Sequence, residues 1–531
     1  MFSFKILIIL VCLWSADALL ENPSQPLVRL PNGYVRGLYK GHYMSFESIP
    51  YAGTNWNKFQ IPIPYSLQWS EPFNATQPPK ACLQWNPFIE GEDKVTGTED
   101  CLTLSIYRPL RNYHRKLPVV VDIHGGFFMF GGADNHLVER LMNRGNVVFV
   151  KIIYRVGPLG FLSTGDSVIP GNLGLKDQRL ALEWIKANIA KFGGNPRKIL
   201  VLGHDAGGAS VHLHLLKSDF NKIARTAISV SGNALNLWVM QRGARQRAFE
   251  LGRIMGCGLL DDSATLVSCL STKSGAEIVR AAQQLQILDN ISISVFGPVV
   301  ESTDSPSPFL TQDPIDLIKN GHASPVPWIV SYAAQDGGFN AAPFLRRQND
   351  GRELLDQLNH RWYDLAPILF YYRDSINDLE QLDDYSRDLR QFYMQDESFS
   401  TESYFQMQRM FTDILYKNGS ELSIKLHRQY GNAPVFAYVY DNAARFGTSN
   451  LGKWLSQRDD IQLGAVHDDD LSQIFTDAQG VISENFLNML EDFAKEKRAH
   501  FGKCELRNNT KESKLKFLHI HDNICDNLEL D

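Results

Sequence analysis

The segment from Leu117 to Gly232 constrains the fold of this chain more than any other part of it. Two short β-branched runs, VVVDIH and VVFVKIIY, come first, and the helix-like run GLKDQRLALEWIKANIAKFGG follows them. Two further strand-like runs, KILVLG and TAISVSG, end the segment. Strands that alternate with helices imply crossover connections and a parallel sheet, whose catalytic groups lie at the carboxyl ends of strands. We therefore predict an α/β fold with a large, mostly parallel central sheet and helices on both faces.

The rest of the chain shows no sign of a second domain. Its 531 residues contain no proline- or glycine-rich linker, repeat or low-complexity tract, so we expect one domain over residues 19–531. After residue 233 the coarser pattern predicts helices around 242–255 and 401–416 and strands at VPWIVSY and VFAYVY. A hydrophobic content of 44% is that of an ordinary globular protein, and a net charge of -6 provides no basic surface for nucleic acid.

The first eighteen residues have the features of a cleaved secretory signal. A lysine near the start precedes the apolar run ILIILVCLW and the small-residue pattern Ala16-Asp17-Ala18. The run is too short to span a membrane, and the C-terminal DNICDNLELD is polar, so we expect a secreted, extracellular protein without a membrane anchor. Four sequons fit glycosylated surface loops in that compartment: Asn74, Asn290, Asn418 and Asn508.

The cysteines agree with an oxidising compartment. Without Cys12, which lies in the signal, six remain, and six cysteines allow fifteen connectivities. We favour disulfide pairing in sequence order, in which each bridge would stabilise the fold by about 3 kcal/mol. The alternative, reduced buried thiols, is less compatible with a secreted chain. The favoured pairs are Cys82 with Cys101, Cys257 with Cys269, and Cys504 with Cys525.

The run ILVLGHDAGGASVH, from Ile199 to His212, predicts a strand, a tight turn and a helix. Its glycines at 203 and 207 permit a backbone that other residues would resist. This is the setting of the Gly-x-Ser-x-Gly nucleophile elbow, in which a strained turn exposes a serine at the top of the sheet. The chain has Asp205 at the position of that serine.

Several long motifs, in the right order, resemble the type-B carboxylesterase and cholinesterase-like family, a branch of the α/β-hydrolase fold. They are SIPYAG, EDCLTLSIYRP, IHGGFFMFGG, YRVGPLGFLS and GNLGLKDQRLALEWI, and they extend over nearly the whole mature chain. The stretches GHDAGGASVH and PWIVSYAAQDGGFNAA are most similar to insect beta-esterases and juvenile hormone esterases.

The resemblance implies a catalytic triad with one member changed. The family's histidine falls on His467 in GAVHDDDLSQIF, and its acid, which orients the imidazole, falls on Asp336 in AQDGG. The nucleophile falls on Asp205. The oxyanion-hole amides fall on Gly125, Gly126, Phe127 and Ala206. Phe127 replaces the family's glycine or alanine, and its ring either enters the gorge or packs within a roomier loop.

An aspartate does not replace serine in ester hydrolysis. Its unperturbed pKa is about 4, so it has no proton for the histidine to take. An adduct of its carboxylate with an ester collapses back to the starting ester, and loss of a triad serine costs on the order of a millionfold in rate. The sequence therefore predicts a carboxylic ester hydrolase homologue with impaired or absent activity.

Two alternatives remain open for Asp205. Epoxide hydrolases and haloalkane dehalogenases use an aspartate at this elbow to attack saturated carbon, and His467 with Asp336 would then serve the second step. Residual esterase activity from the oxyanion hole is the other. An inactive protein would keep a gorge for a small apolar or ester-like ligand, or bind an extracellular protein partner.

No sequence pattern indicates a metal or a cofactor. His212 and His214 are two residues apart on a predicted helix and therefore do not face one another.

Overall fold

The computed structural model describes residues 25–530, apart from 54–57, 90, 133–135, 259–261, 287–293, 347–353, 396, 443–455, 459–460, 512–513 and 522–523. The predicted signal segment, residues 1–18, and the sequon at Asn290 therefore lie outside the described residues. The other three sequon asparagines, Asn74, Asn418 and Asn508, are exposed, as glycan attachment requires.

Strands run through the whole described chain. In chain order they are β1 (Leu27–Leu30), β2 (Gly33–Arg36), β3 (Leu38–Lys40), β4 (Tyr43–Pro50), β5 (Phe73–Asn74), β6 (Gln84–Trp85), β7 (Val95–Thr96), β8 (Thr103–Pro109), β9 (Leu117–Ile123), β10 (Val148–Ile152), β11 (Gly194–His204), β12 (Thr226–Val230), β13 (Trp328–Ala333), β14 (Val435–Tyr440), β15 (His500–Phe501), β16 (Cys504–Glu505), β17 (Leu515–His521) and β18 (Ile524–Leu530).

The α-helices lie mostly between strands of the central sheet or after them. In chain order they are α1 (Glu139–Arg144), α2 (Gly157–Phe161), α3 (Leu173–Asn188), α4 (Ala206–Leu215), α5 (Ala244–Ile254), α6 (Ser263–Ser271), α7 (Gly275–Ala282), α8 (Pro314–Lys319), α9 (Gly338–Ala341), α10 (Leu354–His360), α11 (Trp362–Leu369), α12 (Leu379–Met394), α13 (Tyr404–Thr412), α14 (Asn418–Tyr430), α15 (Asp469–Phe475) and α16 (Val481–Glu496). The predicted late strands correspond to β13 and β14, and the predicted helices to α5 and α13.

Eleven of the strands form one mixed sheet, in the order β18-β17-β14-β13-β12-β11-β9-β10-β8-β4-β3. Pairing is parallel from β10 through β17 and antiparallel at both edges. The prediction of a large, mostly parallel central sheet is confirmed, and the antiparallel strands are confined to the edges.

Side chains from both faces of the central strands are buried. Val119 and Val121 of β9 pack into one apolar cluster with residues of α3 and α4, whereas Val120 packs into a second cluster with residues of α1, α15 and α16. Ile199 and Leu200 of β11 divide in the same way. Because successive strand residues point to opposite faces, this division confirms helices on both sides of the sheet.

Three disulfide bridges pair the cysteines in sequence order, as favoured above. They join Cys82 to Cys101, Cys257 to Cys269, and Cys504 to Cys525. No helix in the described ranges has the length and apolar character needed to cross a bilayer.

Loss of the first bridge is expected to cost more stability than loss of the second. Cys82 and Cys101 are buried, so replacing both with alanine removes a loop constraint worth about 3 kcal/mol and also leaves a cavity. Cys257 and Cys269 are only partly buried and close a shorter loop. Urea unfolding of the two double-alanine variants measures the difference, and equal losses would contradict the expectation.

Two buried histidines, His212 and His427, form a hydrogen bond between α4 and α14. Nε2 of His212 lies 2.8 Å from Nε2 of His427, and the backbone N–H of Ala234 donates to Nδ1 of His212 at 3.0 Å. Nδ1 of His212 is therefore unprotonated, its Nε2–H donates, and Nε2 of His427 accepts. Both side chains are neutral in this arrangement, and a second proton between the rings would break the bond.

This pair is expected to make the protein less stable in acid. Burial lowers the pKa of His427 to about 4, below the unfolded value of about 6.5. A lowered folded pKa means that its stabilisation is present above pH 6.5 and is lost as pH falls through 4, which amounts to about 2–3 kcal/mol at pH 4.5. His427→Gln keeps a hydrogen-bond acceptor. In urea unfolding, this variant should lose less free energy of unfolding between pH 7 and pH 4.5 than the unmodified chain. His322→Gln, at an exposed position, is the control, and an unchanged pH dependence in His427→Gln would contradict the assignment.

Candidate active site

The site lies where the order of the central strands reverses. β9 pairs in parallel with β10 on one side and with β11 on the other, so the loops after β9 and β11 meet at one edge of the sheet. The loop after β9 carries the glycines at 125 and 126 with Phe127, and the turn after β11 carries Asp205. Ligands in open α/β sheets bind at such a point.

Asp205 occupies a strained turn between β11 and α4, as the sequence predicted. Its φ is 52° and its ψ is -120°, a conformation that L-residues rarely adopt. Close packing holds the turn, because a Cβ on Gly203 would lie 2.2 Å from the Gly207 backbone. A Cβ on Gly232 would lie 2.0 Å from the carbonyl oxygen of Asp205. The motif glycines are therefore needed for this backbone path.

The carboxylate of Asp205 accepts hydrogen bonds from two of the amides that the sequence predicted for an oxyanion hole. The backbone N–H groups of Gly126 and Phe127 each donate to its Oδ2 at 2.7 Å, and the N–H of Ala206 also lowers its pKa as a donor. The absence of a side chain at Gly125 leaves room for this carboxylate, because a Cβ at Gly125 would lie 3.1 Å from Oδ2 of Asp205. The donors that stabilise an ester oxyanion in related hydrolases are therefore bonded to a side chain of the chain itself.

His467 lies between two carboxylates. Its Nδ1 is 2.5 Å from Oδ1 of Asp336, and its Nε2 is 3.9 Å from Oδ1 of Asp205. Asp336 is held in turn by the backbone N–H of Ala333, which donates to Oδ2 at 3.0 Å. The three side chains are almost completely buried. The structure thus brings together the three residues that the sequence singled out, in the order acid, imidazole and nucleophile position.

The charges of this cluster keep the imidazole protonated. Burial alone would lower the pKa of His467, but the carboxylates of Asp336, Asp205 and Asp468, in that order of effect, raise it to about 9. Burial raises the pKa of Asp205, whereas His467 and the oxyanion-hole amides oppose that rise. At neutral pH the arrangement favours an imidazolium between carboxylates, and an imidazolium has no lone pair with which to accept a proton.

The ring of Phe127 lies beside His467. Its φ is 53°, and its side chain is buried. The ring lies 5.9 Å from that of His467, 5.5 Å from that of Phe339 and 5.3 Å from that of Trp238, measured between centroids. The side chain therefore packs among the rings of Trp238, Phe339 and His467.

Three residues near the site carried no clear signal in the sequence. The ring of His204 lies 4.3 Å from that of His467, and its Nδ1 is 3.0 Å from the carboxylate of Asp468. The phenol oxygen of Tyr371 accepts the N–H of Ser294, whose hydroxyl donates to the carbonyl of Phe127. Tyr371 and Ser294 are far from the motifs along the chain, so only the fold reveals their link to the oxyanion loop.

Within the described ranges, no three His, Cys, Asp or Glu side chains are grouped as a metal would require. His212 and His214 each bond within the protein, to His427 and to Gln178.

The fold is that of the α/β hydrolases. The juvenile hormone esterase from Manduca sexta, solved with OTFP covalently attached, superimposes with a TM-score of 0.79 at 22% identity, covering 95% of this chain and 96% of that one. The model of the carboxylesterase family matches residues 24–529. Esterase-5B of Drosophila persimilis is 50% identical over 546 residues, covering 100% of this chain and 99% of the relative. Esterase-5A of Drosophila pseudoobscura pseudoobscura is 50% identical over 543 residues, covering 99% and 98%. The chain belongs to the carboxylesterase family.

Proposed function

We propose that this chain is a secreted member of the carboxylesterase family that does not hydrolyse esters by a serine route. The observation that carries the proposal is the position of the Asp205 carboxylate, whose Oδ2 accepts the N–H groups of both Gly126 and Phe127. Secretion is supported by the signal-like segment at residues 1–18, the three disulfides and the exposed sequons.

Occupation of the oxyanion hole blocks the first requirement of ester hydrolysis. The carbonyl oxygen of an ester must bind these amides as it becomes negative, and one such donor is worth about 3–4 kcal/mol. Here the amides already bind an anion, which an ester oxygen would have to displace. A negative charge on Asp205 would also repel the developing oxyanion.

The protonated histidine blocks the second requirement. A general base must be unprotonated near the working pH, whereas the carboxylates around His467 raise its pKa to about 9. Water activation at neutral pH is therefore disfavoured, even though His467 and Asp336 are in place. What remains is a binding role, either for a small apolar or ester-like ligand or for an extracellular protein partner.

A second candidate is an aspartate-nucleophile hydrolase, which one observation favours. Oδ1 of Asp205 accepts no hydrogen bond from the described residues and lies 3.9 Å from Nε2 of His467. In attack by Oδ1 on an epoxide carbon, the C–O bond breaks and the alkoxide takes the proton of the His467 imidazolium. The neutral imidazole then activates a water that cleaves the alkyl ester, which returns the carboxylate and releases a diol. The near-complete burial of Asp205 argues against ready access for such a substrate.

Two assays on the purified chain test both candidates. With 4-nitrophenyl butyrate we expect no turnover above that of Asp205→Ala. Esterase turnover at ordinary enzyme rates would overturn the first proposal. Styrene oxide tests the second candidate, because diol formation that disappears in Asp205→Ala would replace the non-catalytic proposal with an aspartate-nucleophile enzyme.

A further inference from the structure

A basic surface lies at the amino-terminal edge of the central sheet, although the whole chain has a net charge of -6. Two segments form this surface: residues 111–116, which lead into β9, and residues 191–198, which lead into β11 and begin it. Neither segment contains an aspartate or a glutamate. The lysines and arginines of the two segments, here called the basic edge, are Arg111, Arg115, Lys116, Lys191, Arg197 and Lys198.

The two segments of the basic edge lie side by side. β9 and β11 are parallel neighbours, and Leu117 pairs with Gly194 where they begin. The backbone N–H of Leu117 donates to the carbonyl of Gly193 at 3.0 Å. After Gly194 the register of β11 shifts, and Arg197 and Lys198 fall in this irregular stretch. Segments that are far apart along the chain therefore contribute to one surface.

The charges of the basic edge are open to solvent and are not used by ion pairs. Five of the six side chains are exposed, and Lys198 is partly buried. Among the described residues, no carboxylate lies within 4.0 Å of any of these six cations. The charge of Lys198 also acts on Glu496, but that carboxylate is paired with Lys495 at 2.8 Å. The positive charges are therefore available to an anion from outside the protein.

A buried arginine fixes the backbone of the basic edge. Arg108 is 1% exposed, and its guanidinium donates to the carbonyls of Tyr113 at 2.8 Å, Arg115 at 3.1 Å and Gly193 at 3.0 Å. These bonds join both segments and place a further positive charge beneath them. A surface that is fixed before binding loses less conformational entropy when a ligand binds.

An extended polyanion matches a surface of this kind. Several unpaired cations attract a chain of anionic groups, and arginine forms paired hydrogen bonds with such groups. Outside the cell the polyanions that basic patches bind are sulfated polysaccharides of the heparin type, whereas the anionic lipids lie in the cytoplasmic leaflet. Tyr113 is the one large apolar side chain exposed in the two segments, so the surface offers little to insert into a membrane.

We propose that the basic edge binds a sulfated polysaccharide outside the cell, with sulfate groups on Arg111, Arg115 and Arg197. An extracellular ligand presupposes the secretion proposed above, whereas the binding itself does not depend on the chemistry of Asp205. The seven residues of β9, about 23 Å of strand, separate the basic edge from the loop that carries Phe127. A bound polysaccharide would therefore hold the protein in place and leave the opposite edge of the sheet uncovered.

Calorimetric titration of the purified full chain with heparin in 0.15 M NaCl at pH 7 tests the assignment. We expect saturable binding of heparin and at least about tenfold weaker binding of desulfated heparin. The combined variant Arg111→Gln, Arg115→Gln and Arg197→Gln should bind heparin at least about tenfold more weakly. Its plot of log affinity against log salt should be less steep by about two to three, because each lost contact releases about one counterion fewer. The three side chains are exposed, so these changes should leave the fold intact.

The matched control removes three arginines outside the basic edge: Arg242→Gln, Arg253→Gln and Arg280→Gln. These arginines are also exposed, but each is paired with a carboxylate, at 3.4, 2.5 and 2.6 Å. The control changes the net charge by the same amount, and it should bind heparin as the unmodified chain does.

Three results would overturn the proposal. They are no saturable heparin binding, a basic-edge variant that binds heparin as tightly as the control variant does, and binding of phosphatidylserine vesicles as tight as that of heparin, which would make a membrane the ligand. Esterase activity in the unmodified chain, or retention of the chain inside the cells that express it, would overturn the proposed function instead. Neither of those results changes the heparin affinity of the purified chain, so the two failures are distinguishable.

Discussion

Asp205→Ser is expected to raise hydrolysis of 4-nitrophenyl butyrate by at least about 10³-fold. The change releases the Gly126 and Phe127 amides for the ester oxygen and supplies a hydroxyl to His467. One recovered oxyanion donor is worth about 10²–10³ in rate, and the nucleophile is worth more. Loss of the Asp205 charge also lowers the pKa of His467 towards the range in which it accepts a proton.

Two further variants show whether the gain in esterase activity depends on His467 and on the space beside Phe127. Asp205→Ser combined with His467→Gln should lose the gain in esterase activity, because the serine hydroxyl then has no general base. Asp205→Ser combined with Phe127→Gly should exceed the single change on longer acyl chains, because the Phe127 ring lies between Trp238 and His467. Phe127→Gly alone should stay inactive. A folded Asp205→Ser chain with no gain, or a gain that survives without His467, would contradict this account.

Asp205→Asn is expected to lower the pKa of His467 by about 1–3 units from its value of about 9. The amide keeps the shape of the carboxylate and an oxygen for the Gly126 and Phe127 N–H groups, but it removes one of the three carboxylate charges that raise the pKa of His467. Titration of the imidazole by NMR in chain with labelled histidine measures the shift. Glu380→Gln, exposed on α12, is the control. An unchanged His467 pKa would mean that the charge of Asp205 does not contribute to it.

The same shift predicts a change in alkaline stability. A folded pKa raised above the unfolded value of about 6.5 gives stability that is fully present below pH 6.5 and is lost as pH rises through 9. For His467 the loss amounts to about 3 kcal/mol across that window. Urea unfolding at pH 6.5 and 9.5 should show a smaller decrease in Asp205→Asn than in the unmodified chain, and an equal decrease would count against the coupling.

The elements that position Asp205 could be predicted because their signals are local. The apolar run of β11, the glycines at 203 and 207 and the helical pattern from Ala206 all lie within fifteen residues, and close packing of those glycines requires the turn. The cysteine pairing also followed sequence order, and the late strands β13 and β14 were visible as apolar runs.

The arrangement of the site could not be predicted from the same signals. The direction of the Asp205 carboxylate depends on the loop after β9, and the bonds run to residues 78 and 79 positions away. The position of the Phe127 ring depends on Trp238, Phe339 and His467, which come from later elements. Motif resemblance identified these positions, whereas the directions of the side chains follow from packing between distant segments.

The most direct measurement of the central claim is the intact mass of the chain after reaction with a fluorophosphonate, which marks a serine nucleophile that faces a free oxyanion hole. The account predicts no phosphonyl adduct on the unmodified protein and one adduct on Asp205→Ser. A stoichiometric adduct on the unmodified chain would show that an active nucleophile and an open hole exist there, and would contradict the account.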